Sequence, residues 1–179
     1  MSFLTRIFGA LHAGERRERA VVRPLYTAIV AQGRDSFWYR EGQVPDTIDG
    51  RFDMLSTVLA LVLLRMEREG PAAAGADVHL TEVFIEDMDG TVRQIGIGDQ
   101  VVGKHIGKMM SALGGRLGAY RDSGDDEAAF ADAVRRNIFR EAPPSDEAVT
   151  TVAARLMRLK VALDRANYSD LLIGKLPQP

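Results

Sequence analysis

Apolar residues recur at intervals of three and four along most of the chain, the spacing that lays a stripe down one face of an α-helix. Phe3, Leu4, Ile7, Phe8 and Leu11 form the first stripe, on a short amphipathic helix that stops at Gly14. Leu25, Tyr26, Ile29 and Val30 form a second, closed by Gly33, in which Pro24 is tolerable only near the first turn. Residues 34 to 50 carry no stripe: Phe37, Trp38, Tyr39 and Pro45, with Val44 pushed towards extended geometry by the proline after it, predict an ordered loop with aromatic anchors. Phe52, Leu55, Leu59, Val62, Leu63 and Met66 then predict a long helix ended by Gly70 and Pro71, the most apolar element and the expected core.

Leu80, Val83, Phe84 and Met88 mark the next helix, and Gly96, Ile97, Gly98 and Asp99 a tight turn in which Asp99 caps the helix beyond it. That helix turns Ile106, Met109, Met110 and Leu113 inward, and another carries Phe130, Val134 and Ile138 behind an acidic start at Asp125, Asp126 and Glu127. The last long helix starts at Ser145 behind two prolines and carries Val149, Val152, Leu156, Leu159 and Leu163. No stretch alternates with period two for long enough to demand a sheet, although a small hairpin around Thr91 to Ile97 fits. The pattern predicts an all-α, single-domain irregular bundle of about six or seven helices, divided into a short amphipathic N-terminal helix over 1–14 and a helical domain over 15–179.

Composition narrows the function. A length of 179 residues supports one well-buried core, and 46% hydrophobic with 27% charged residues is ordinary globular usage. The net charge of −2 gives no general attraction to nucleic acid. Without cysteine there is no disulfide, zinc-thiolate or thiol chemistry. The longest apolar run, Met54 to Leu64, falls well short of the roughly 20 residues of a membrane span, and the N-terminus lacks the apolar region of a secretory signal. A mitochondrial presequence is conceivable there, since Met1 to Gly14 holds one arginine and no acid. The stripe of Phe3, Leu4, Ile7, Phe8 and Leu11, with Arg6, Arg16, Arg17 and Arg19 nearby, could dock on the protein's own core, on a partner or on a membrane surface.

Reactive constellations are sparse. His79 and Glu82 form the one helical pair of metal-ligand type, without the repeats on other helices that a metal bundle needs. Gly98, Gly103 and Lys104 match part of a phosphate loop, but His105 stands where a hydroxyl should ligate magnesium. Gly103, Gly107, Ser111 and Gly115 read instead as a flat ridge for close helix packing. Two acidic clusters, Asp46, Asp49 and Asp53 and then Glu86, Asp87 and Asp89, could supply paired carboxylates to a hydrolase, though acids at turns and helix starts more often cap backbone groups.

From Val44 to Asp53 the chain reads VPDTIDGRFD, with Pro45, Asp46, Thr47, Asp49, Gly50, Arg51, Phe52 and Asp53, and here it resembles the ubiquinol-cytochrome c chaperone family. Tyr26, Arg34 and the aromatic run Phe37, Trp38 and Tyr39 resemble the family's opening. Asp87, Met88 and Asp89, then Gly96, Gly98, Asp99, Gly103, Lys104, Met109, Arg116 and Tyr120, continue the likeness in order, so that it covers about residues 20 to 140. Gln94 departs from the acid expected beside Arg93.

The resemblance implies an all-helical, non-catalytic chaperone without cofactor. It would bind newly made cytochrome b during assembly of the bc1 complex, near the ribosome and the membrane, in mitochondria together with a small partner subunit. For this chain it implies a bacterial relative in the cytoplasm or at the inner face of the membrane. The residues above are then candidates for client or partner binding. A groove edged by Met54, Met66, Met88, Met109 and Met110 with Phe37 and Trp38 would receive an apolar client segment, since methionine adapts to irregular partners. Asp46, Asp49, Arg51 and Asp53 are expected to hold their loop by capping and ion pairing. The rival readings are a peripheral membrane or ribosome-docking adaptor acting through residues 1–14, and a hydrolase using the acidic clusters.

Overall fold

A computed structural model describes residues 19–179 except Ala74, residues 95–98 and Glu141, with the side chains of Asp99 and Gln100 also outside the description. The expected N-terminal helix with Phe3, Leu4, Ile7, Phe8 and Leu11, and the turn holding Gly96 and Gly98, therefore lie outside the described residues, as does any role for the Asp99 side chain.

All regular structure among the described residues is helical. Helix α1 covers 19–33, α2 Ser36–Arg40, α3 Ile48–Glu67, α4 Ala76–Gln94, α5 Asp99–Ser123, α6 Glu127–Asn137, α7 Asp146–Arg165 and α8 Tyr168–Leu172, with a 3-10 turn at Gly70–Ala73. Short polar side chains start these helices as local chemistry dictates: Asp126 accepts from the amides of Ala128 and Ala129, and Ser145 from that of Ala148. Helix α3 is buried nearly all round, as its continuous apolar run requires, and packs against α5, α7 and, less extensively, α4. Helices α6 and α7 form an antiparallel pair across one end, with α5 against α6. One core runs through the whole.

The buried Arg65 on α3 ties the bundle together across the chain. Its guanidinium donates to the carbonyls of Leu163 and Ala166, both at 2.9 Å, and meets Glu69 at 2.6 Å. Those carbonyls belong to the end of α7, where Leu163 also accepts from the Ala166 amide at 3.1 Å.

Four expectations need correction. Residues 34–50 contain α2, begun by the Asp35 carboxylate accepting from the Phe37 amide, because a single turn is too short to show a period. Thr91 to Gln94 continue α4, so no hairpin starts there. Pro24 lies beyond the first turn, since residues 19 and 20 are already helical, and its missing N–H leaves the Ala20 carbonyl without a helical donor. The glycine ridge of α5 is not packed against any described residue: beyond the helix's own backbone, a Cβ placed on Gly103, Gly107, Gly114, Gly115 or Gly118 would meet no described atom within 4 Å.

Candidate functional site

The start of α3 is built from the VPDTIDGRFD segment. Thr47 caps the helix by accepting from the Gly50 amide at 3.1 Å. Gly50 has to be glycine: a Cβ there would lie 2.0 Å from the Pro45 carbonyl oxygen. Asp46 accepts from Arg51 at 2.6 Å, which holds the Asp46 carboxyl below its ordinary value and places the guanidinium 6.0 Å from the centre of the Tyr39 ring. This is the expected stapling of the segment by capping and ion pairing.

The aromatic turn before it is equally fixed. Trp38 is fully buried and donates from Nε1 to the Gln32 carbonyl at 2.7 Å, while the Tyr39 hydroxyl donates to the Gly33 carbonyl at 2.8 Å. Arg155 of α7 stacks 4.0 Å from the centre of the half-buried Phe37 ring and pairs with Asp35 at 2.7 Å. A cation on an aromatic face, with its charge met by a carboxylate, locks α2 onto α7.

Asp53 is the pivot of a buried charge cluster. It accepts from Arg116, itself 4% exposed, and from Arg140 at 2.9 Å, and Arg140 also reaches Asp49 at 3.2 Å. Arg116 donates as well to the Asn137 carbonyl at 2.7 Å and lies 5.5 Å from the centre of the half-buried Phe52 ring. Burial raises the Asp53 carboxyl and lowers the Arg116 guanidinium from their ordinary values, each opposed by the other's charge. Arg140 sits at φ 51°, a conformation that costs a non-glycine residue free energy and is held here by its two carboxylates. Beneath the cluster the Tyr120 hydroxyl lies 3.4 Å from that of Thr57, and burial pushes it up to about 12.

On α4, the acids are tied to α1 and to their own helix. The Tyr26 hydroxyl donates to Asp87 at 2.7 Å, Arg19 meets Glu82 and Glu86, and Arg93 meets Asp89 at 2.7 Å. His79 lies 3.2 Å from the Glu82 oxygen that Arg19 also holds, and no group of three potential metal ligands occurs among the described residues. Each acid of the two clusters considered for hydrolysis thus faces a cation or a hydroxyl. Gly103 and Lys104 lie inside α5, where backbone N–H groups are committed to the helix and cannot cradle phosphate.

The proposed methionine groove does not form. Met54, Met66, Met88 and Trp38 are core residues, and Met109, Met110 and Phe37 are half-buried against it. An apolar opening of about 560 Å³ lies between α6 and α7, with Ala128, Phe130, Ala131, Ala154 and Met157 among its lining residues. Sequence reasoning passed over Arg65, Arg140 and Arg155, whose partners lie 87 to 120 residues away; their only signal is that each sits beside apolar positions of a helix or its end.

The family description Ubiquinol-cytochrome C chaperone matches residues 40–177. The chain belongs to this family. The match takes in α7, α8 and most of the tail, beyond the end of the resemblance near residue 140. The crystal structure of the Cbp3 homolog from Brucella abortus resembles the chaperone with a TM-score of 0.79 at 31% identity, covering 97% of this chain and 96% of that one. No individually curated protein matches it. Among the described residues, no helix of the chaperone is long and apolar enough to cross a membrane.

Proposed function

We propose that the protein is a non-catalytic assembly chaperone of the bc1 complex, holding newly made cytochrome b until that subunit is incorporated. The observation that carries this reading is the family match over 40–177, joined to a structural likeness over almost the whole chain. The geometry supports it in two ways. The acidic residues that could have served hydrolysis are bound to arginines and a tyrosine. The groove between α6 and α7 is apolar and floored by Ala128, Ala131 and Ala154, so that a client helix can approach the backbone closely, while Met157 adjusts to its shape.

The charge cluster is the frame of this site, fixing α5 and the α6 end to α3, while Arg155 and Arg65 hold α7. A photo-crosslinker placed at Ala131 or Ala154, in cells making the bc1 complex, should capture cytochrome b, and affinity capture of the chain should enrich it. Equal labelling from Val21 on α1, or no enrichment of cytochrome b over other membrane subunits, would refute the reading.

A further inference from the structure

We propose that Arg34, Arg40 and Arg51 form a receptor for the phosphate of an anionic phospholipid, through which the protein sits on a membrane surface. The three arginines line one open pocket of about 270 Å³ together with Ser36, Tyr39 and Asp46. Asp46 is committed to Arg51 at 2.6 Å. The guanidinium groups of Arg34 and Arg40 make no ion pair or hydrogen bond to any described residue. Three guanidinium groups against one carboxylate leave a surplus of two positive charges in a single hollow. Guanidinium is the group best matched to phosphate oxygens, through paired N–H donors.

Two features select a lipid over other phosphates. Ile48 lies between the pocket residues Asp46 and Arg51 and is 56% exposed, an aliphatic side chain placed where it can enter the acyl boundary while the arginines hold the headgroup. Tyr39, its hydroxyl held by the Gly33 carbonyl at 2.8 Å, lends the pocket an aromatic ring, and aromatic rings favour the headgroup level. A nucleic acid would need a track of cations, whereas these converge on one point and the chain carries a net charge of −2. The same pocket gathers Arg34, Tyr39, Asp46 and Arg51, four residues of the family resemblance. The proposal is independent of which client the protein holds.

Vesicle flotation with the full chain tests it. Vesicles of phosphatidylcholine mixed with phosphatidylglycerol should carry the protein, and vesicles of phosphatidylcholine alone should not. Arg34→Gln combined with Arg40→Gln should reduce partitioning about twenty-five-fold, at roughly fivefold per arginine. Both side chains are exposed and unpaired, so the fold should survive, and an unchanged melting curve checks this. Ile48→Ser should weaken binding without altering its salt dependence. An equal-charge control, Arg136→Gln with Arg158→Gln, should bind as the unaltered protein does.

Equal flotation on both vesicle types, or equal binding by the double variant and the unaltered protein, would overturn the proposal. So would an equal loss in the control, since net charge alone would then be responsible. Saturation of the arginine side-chain resonances by inorganic phosphate without vesicle binding would reassign the pocket to a soluble phosphate. Tighter binding to a single-stranded RNA oligomer than to vesicles, lost in the same double variant, would reassign it to nucleic acid.

Discussion

Replacing Asp53 by Asn removes the carboxylate from a guanidinium that has almost no access to water. Arg116 is 4% exposed, so its charge would be left with the Asn137 carbonyl and the face of Phe52. Removing one partner of a buried ion pair typically costs about 3–5 kcal/mol. In a chain of this length each kcal/mol lowers the melting temperature by about 2–4 °C, so a fall of about 6–20 °C is expected. The opposite deletion should be milder: in Arg116→Met, Asp53 keeps Arg140 at 2.9 Å and its charge is still met. Asp53→Leu with Arg116→Met should recover most of the loss, because an apolar pair needs no compensation. Urea unfolding followed by the fluorescence of the single, buried Trp38 reads all three variants. Asp53→Asn melting within about 2 °C of the unaltered protein, or a double variant no better than Asp53→Asn, would refute the account of this cluster.

Gly50→Ala should destabilise the fold by about 1–3 kcal/mol, since the added carbon meets the Pro45 carbonyl at 2.0 Å and two backbone segments must part; thermal unfolding measures it. Gly107→Ala should have the reverse sign, a gain of about 1 kcal/mol, because the new methyl group enters open space on α5 and the helix interior prefers alanine. Arg155→Ala should cost about 1–2 kcal/mol by removing the stack on Phe37 and the pair with Asp35, seen as a lower urea midpoint and a shifted Trp38 emission. Asp46, Glu82 and Asp125 are held below their ordinary carboxyl values by Arg51, by His79 with Arg19, and by Lys160 respectively. They bind fewer protons folded than unfolded, so their contribution is present above the unfolded value of about 4 and is lost as pH falls through the folded values. Asp53, raised by burial, acts in the opposite sense, and Asp46→Asn should flatten the acid limb of a melting-temperature profile.

The long helices were legible because each buries one face and therefore repeats its apolar residues with the helical period. Ser145 and Asp126 announced the starts of α7 and α6 in the same way. Helix α2 was hidden because five residues make little more than one turn, although Asp35 two residues before Phe37 was a usable capping signal. The methionines misled for a different reason: an unbranched apolar side chain serves a core and a groove equally well, and only tertiary packing assigns Met54 and Met66 to the first. The glycines of α5 misled likewise, since a smooth ridge can be packed or open. For the candidate site, the local pairs Asp46–Arg51 and Thr47–Gly50 could be read from spacing, whereas Asp53–Arg116 and Asp35–Arg155 join residues 63 and 120 apart and need the folded chain.

Arg65 bears on how such a protein is made as well as on how it stands. Glu69 meets part of its charge from one turn away, but its other two partners are the carbonyls of Leu163 and Ala166, which leave the ribosome about a hundred residues after it does. Until then α3 emerges with a cation among its apolar side chains and no acceptor from α7, and such distant contacts form slowly. A nascent chain stalled before residue 163 should accordingly remain protease-sensitive along α3, and acquire resistance in one step once the end of α7 has cleared the tunnel.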